Sequence, residues 1–147
     1  MPNWCRNSIY IEGTAKEVKK FEEYVSTDTS AFSLNKIIPM PDDIYRGDFG
    51  EKERKKYGDN NWYDWATNNW GTKWDIDEKD IEVQSLDDRE LQYSFETAWA
   101  PPVPVYEHLV NKFPKLLIEW SYQDEFEEKE HTLPELSPEI FIVEKEE

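Results

Sequence analysis

The residues best suited to chemistry form one short run, Asn69-Trp70-Gly71-Thr72-Lys73-Trp74-Asp75. It sets an amide, a hydroxyl, an ammonium and a carboxylate among tryptophans, the mixture a small binding site needs: apolar walls and a few polar groups to fix orientation. Asn69, Trp70, Thr72, Lys73, Trp74 and Asp75 are therefore candidates for contact with a ligand or partner. The competing structural reading carries more weight. In it this run is a helix C-terminus whose tryptophans seal a long insertion to a sheet, while Lys73 and Asp75 pair on the surface.

Two further segments have the same double character. In Thr97-Ala98-Trp99-Ala100-Pro101-Pro102, Trp99 and the prolines can form a rigid platform for an extended ligand; structurally, they force a sharp exit from a strand. In Asn3-Trp4-Cys5-Arg6-Asn7, Asn3 and Trp4 can face a site or simply cover the edge of the core. Cys5 needs a neighbouring base to act as a nucleophile. The two histidines, His108 and His131, lie far off in sequence, so no catalytic residue is assigned. Asp75-Ile76-Asp77-Glu78-Lys79-Asp80 superficially suggests a calcium loop, but it lacks the central glycine and terminal glutamate. With five scattered glycines, no phosphate-cradling loop is present either. No metal site and no cofactor is expected.

The elements that must position these residues follow from periodicity. Residues 7–12 place Ile9 and Ile11 on one face of a strand. Thr14 and Glu17 have the spacing of a capping box, and Val18, Phe21 and Val25 give residues 15–26 a helical apolar stripe. Residues 27–74 form an insertion far longer than the usual connection of about 4–6 residues. Within it, residues 35–41 read as extended because prolines bias their predecessors away from the helix, and 48–56 as a solvated loop or short helix. Residues 61–70 read as a helix with Asn61 as N-cap, Trp62 and Trp65 on one face, and Gly71 as terminator. A hairpin follows, with Ile81 to Val83 and Leu91 to Trp99 joined by a turn at 87–90. Leu91, Tyr93, Phe95, Thr97 and Trp99 share one face of its second strand.

Pro104 suits the first turn of another helix, whose apolar face is Val105, Tyr106, Leu109, Val110 and Phe113. Residues 116–122 give a strand, with Ile118, Trp120 and Tyr122 on one side. Residues 123–131 read as a solvated acidic turn, 140–143 as a short edge strand, and 144–147 as an acidic tail. The order β, α, insertion, β, β, α, β predicts an α+β, ferredoxin-like βαββαβ fold. Its antiparallel sheet carries two helices on one face, in a single domain over 1–147 with the tryptophan-rich insertion at about 27–74.

Several segments together resemble the YubB-type ferredoxin-like family, uncharacterised proteins often carried on bacterial plasmids and phages. They are the opening Met1-Pro2-Asn3-Trp4-Cys5-Arg6-Asn7, the Leu34 to Pro41 run ending in Pro-x-Pro, Trp65, the Asn69 to Asp75 run, and Phe95 through Pro104. The resemblance spans roughly residues 1–122. It implies the ferredoxin-like fold and a bacterial or mobile-element origin, and brings no established activity.

Composition narrows the function. Thirty-three acids against seventeen Lys and Arg leave a charge of −16, alongside seven Trp, eight Tyr and seven Phe. Aromatic richness of this kind argues against disorder. The acidity argues against direct nucleic-acid binding, which draws its affinity from Lys and Arg on phosphate, and against anionic membranes. A single cysteine excludes a disulfide within these residues. Without an apolar membrane span or a signal-like N-terminus, the cytoplasm is the expected compartment. The expectation is a non-enzymatic interaction module with an unknown protein partner. Its alternatives are a small-molecule binder or small enzyme with a site near the insertion, and an acidic nucleic-acid mimic that blocks a basic protein.

Overall fold

The first strand is the middle of the sheet, and its sequence shows why. In β1, Trp4–Glu12, the buried Cys5, Asn7, Ile9 and Ile11 alternate with more exposed neighbours. The computed structural model describes residues 3–134 of the chain. The strand begins three residues before the predicted 7–12, because Trp4, Cys5 and Arg6 already pair with Ala98, Thr97 and Glu96. An apolar pattern misses this start, since the inward residues there are a cysteine and an asparagine.

Helix α1, Ala15–Val25, buries Val18, Phe21 and Val25, and the Thr14 hydroxyl accepts from the Glu17 amide at 3.2 Å. The insertion contains three helices, α2 Leu34–Ile37, α3 Glu51–Tyr57 and α4 Trp62–Asn69, and a single 3-10 turn at Glu78–Asp80 follows it. The predicted extended stretch over 35–41 is corrected at its start. Ser33 caps α2 through its Oγ, which accepts from the Lys36 amide, and the chain turns extended only at Ile38, the residue before Pro39. A proline constrains its immediate predecessor and leaves Leu34–Ile37 free to be helical.

The hairpin is β2, Glu82–Asp87, and β3, Glu90–Ala98. The predicted face of β3 holds for Leu91, Tyr93, Phe95 and Thr97, all buried, but not for Trp99. The strand ends at Ala98, and Trp99 takes a φ of 70° that swings its ring to solvent. Helix α5, Val103–Lys112, has Pro104 in its first turn and buries Val105, Tyr106 and Leu109. Val110 is 37% exposed, so the apolar stripe is narrower than predicted. Strand β4, Leu117–Asp124, continues two residues into the predicted turn, and β5, His131–Leu133, pairs on its outer edge. The predicted edge strand at 140–143 and the tail at 144–147 lie outside the described residues.

The sheet order is β2-β3-β1-β4-β5, every pairing antiparallel. Ile9 stands opposite Tyr93 on one side and Trp120 on the other, which fixes the face that α1 and α5 cover. Phe21 of α1 packs on Tyr93, and Tyr106 of α5 on Trp120. Phe32, in the insertion, enters the same core against Tyr93, Phe95 and Trp120. Asn7 is the polar centre of this packing. Its Nδ2 donates to the Cys5 carbonyl and Thr97 Oγ1, and its Oδ1 accepts from Trp120 Nε1 at 3.0 Å. Among the described residues no helix is long and apolar enough to cross a membrane.

Candidate functional site: a tryptophan rim beside an acidic pocket

The Asn69 to Asp75 run divides in two. Helix α4 begins at Asn61, whose Oδ1 accepts from the Asp64 amide at 2.8 Å. At its other end Asn69 Nδ2 donates back to the Trp65 carbonyl. Trp70 is buried edge-on against Trp65, and its Nε1 donates to the Ile38 carbonyl at 2.8 Å. Gly71 terminates the helix with φ 84°, packed so closely on α5 that an added Cβ would lie 2.8 Å from Pro104 Cδ. The buried Thr72 hydroxyl donates to the Ala98 carbonyl at 2.7 Å. Asn69, Trp70 and Thr72 thus serve the junction between insertion and sheet.

Lys73 and Asp75 do not pair, which corrects the surface pairing expected of them. Asp75 is the anchor of α2: its carboxylate accepts from Ser33 Oγ and from the amides of Leu34, Asn35 and Ile76, at 2.7–3.1 Å. Lys73 instead lays its ammonium over two rings, 4.0 Å from the Trp74 centroid and 4.1 Å from that of Trp99. Both rings are open to solvent, Trp74 at 41% and Trp99 at 45%. The Asn3 carbonyl accepts from the Trp99 amide at 2.8 Å, and Trp4 lies 6.2 Å from Trp74 with its ring tilted by 35°. Asn3, Trp4, Lys73, Trp74 and Trp99 therefore meet at one rim, drawn from β1, the end of the insertion and the end of β3.

Beside the rim is a cavity of about 560 Å³. Trp4 and Trp74 line it together with Asp75, Asp77, Asp80, Glu96, Thr97 and Ala98. Asp77, Asp80 and Glu96 are the residues that sequence reasoning missed. The signal for Glu96 was its place on the outward face of β3, and that for the aspartates was the acidic run read only as a poor calcium loop. Among the described residues, no group of three or more His, Cys, Asp or Glu is placed to hold a metal ion.

The remaining reactive groups are placed elsewhere. Burial, reinforced by the nearby Asp124 charge, pushes the Cys5 thiol up to about 12. His108 shares a hydrogen bond with the Tyr24 hydroxyl, and His131 pairs with Glu127. On the open face of the sheet, Tyr10 is held by Glu12 and Glu90, which raise its hydroxyl above the usual tyrosine range. Tyr93 and Phe95 point to the helical side, in the core with Phe32.

Searches of curated proteins and of solved structures each return no match. Residues 69–129 match the family model of a ferredoxin-like domain in Api92-like protein. The match runs from the end of α4 through the hairpin, α5 and β4, and includes Lys73, Trp74, Glu96 and Trp99. The chain carries a ferredoxin-like domain, similar over these residues to that of Api92-like proteins.

Proposed function

We propose that this protein is a non-enzymatic interaction module, of the YubB type carried on bacterial plasmids and phages, and that it works in the cytoplasm. Its partner surface is the rim of Trp4, Lys73, Trp74 and Trp99. One observation carries the reading: two adjacent tryptophans, each more than two-fifths exposed, hold a lysine ammonium between them at the surface. Large aromatic groups left open together mark interaction sites rather than packing, and tryptophan is enriched among residues that dominate binding energy. Lys73 keeps both rings oriented, so little side-chain freedom remains to be lost on binding.

The test is affinity capture from a bacterial lysate, comparing the wild-type chain with the Trp74→Ala/Trp99→Ala variant. Both changes are at exposed positions, so the variant is expected to keep its fold. A partner held by the wild type through a high-salt wash and lost by the variant is the expected result. An identical set of partners on both would overturn the reading. A second reading, a small-molecule binder, is favoured by the cavity volume, which lies within the range of about 300–1,000 Å³ common for ligand sites. A metabolite that shifts the fluorescence of Trp74, with no protein retained, would select it.

A further inference from the structure

We infer that the pocket beside the rim receives the guanidinium group of an arginine side chain on the partner; the inference rests on the interaction-module reading above. The carboxylates that line the pocket differ in how far they are already satisfied. Asp75 has both oxygens filled by α2 and the Ile76 amide, and Asp77 Oδ1 accepts from the Lys79 amide. Asp80 and Glu96 have no hydrogen-bond or ion-pair partner for their side chains among the described residues. The nearest basic residue by register is Arg6, opposite Glu96. It lines the two neighbouring hollows and not this cavity, and makes no ion pair within 4.0 Å. The cavity is thus lined by four carboxylates, on a chain whose net charge is −16, and the nearby cations sit at its margin: Lys73 over Trp74, and Arg6 in the hollow it shares with Asp80 and Glu96. Such a site repels phosphates and draws in cations.

Two indole rings complete the lining. Trp74 lines the cavity and already binds one cation, the Lys73 ammonium. Trp4 adds a second indole at 6.2 Å. A hard metal ion would require six to eight oxygen ligands, whereas here indoles make up part of the lining. An ammonium would satisfy the charge but cannot lie flat against a ring. A guanidinium does both, stacking on an indole while its fork of N–H groups donates to carboxylates. Asp80 and Glu96 are the acceptors, and Trp4 and Trp74 are the stacking surface.

The experiment titrates the full chain with N-acetyl-arginine amide, following the indole N–H and backbone amide resonances by NMR. N-acetyl-citrulline amide, equal in shape and uncharged, and N-acetyl-lysine amide are the comparison probes. Arginine is expected to shift the Trp4 and Trp74 indole signals and the amides of Glu96 to Ala98, with saturation. Lysine should bind about threefold or more weaker, and citrulline should not bind. Glu96→Gln and Asp80→Asn, both at exposed positions, should each weaken the arginine probe by about threefold or more. Asp28→Asn, outside the cavity lining, should not weaken it. Equal response to arginine and citrulline, shifts away from Trp4 and Trp74, or unchanged binding by Glu96→Gln would overturn the assignment. If arginine fails while Trp74→Ala/Trp99→Ala still loses its partner, the interaction module stands and the arginine pocket falls. If arginine binds but capture is indifferent to that variant, the pocket stands and the rim falls.

Discussion

Asp75 carries more of the local structure than any other residue of the candidate segment. One carboxylate accepts four hydrogen bonds from α2 and the adjoining backbone, and so fastens the end of the insertion to its beginning, 40 residues away. Asp75→Ala leaves those donors without an acceptor in a half-buried setting and is predicted to cost about 1.5–3 kcal/mol, read as a lowered urea midpoint with unchanged slope. Asp64 is the corresponding residue of α4. Arg54 donates to both its oxygens, at 3.0 and 3.1 Å, and Asn61 Nδ2 adds a third bond. Chiefly through Arg54, these bonds hold its carboxyl below the usual aspartate range. Because the folded state favours the ionised form, the stabilisation is complete above the ordinary aspartate value of about 3.9. It is lost as pH falls through the depressed one. Asp64→Asn should therefore lower Tm at pH 7, with the difference from wild type narrowing below about pH 4 and closing under stronger acid. A difference that stays constant with pH would count against this assignment.

At the scale of elements, the junction between α4, α5 and the end of β3 decides where the rim points. Gly71 has a positive φ and no space for a side chain against Pro104 and the Val103 backbone. Gly71→Ala is predicted to destabilise the fold by about 1–3 kcal/mol and to disturb the Trp74 and Trp99 signals together, because both rings hang from this junction. Thermal unfolding and the indole resonances check it. Much of the element order was legible. Val18, Phe21 and Val25, Leu91 through Phe95, and Trp120 with Tyr122 all read correctly from period alone, as did the Asn61 cap and the Gly71 stop. The errors have specific causes. Trp99 continues the apolar alternation of β3, yet its backbone turns left-handed ahead of the prolines, and a ring that looks inward by count faces water. The start of β1 was hidden because its inward residues are Cys5 and Asn7, and α2 because two prolines nearby masked the Ser33 cap.

For the whole molecule, the sheet explains why distant segments meet. Trp4 at the start of the central strand pairs with Ala98 at the end of β3, which brings the opening of the chain beside Trp99. Thr72 then lashes the end of the insertion to that same corner, while Asp75 ties it back to α2. Spacing alone could not divide the candidate residues among these roles, because the hydrogen bonds that Asp75 accepts from residues 33–35 are invisible to it. For the same reason Glu96 and Asp80 were missed: the cavity joins a strand to a loop, and only the register brings them together. The outer edge strand β2 presents a rival surface, with Val83 and Leu86 exposed. The decisive measurement is calorimetry of the purified partner against the wild-type chain, Trp74→Ala/Trp99→Ala and Val83→Ser. The account predicts a loss of roughly 30-fold or more in affinity for the tryptophan variant and none for Val83→Ser. Full affinity in the tryptophan variant, with the loss appearing in Val83→Ser, would contradict it.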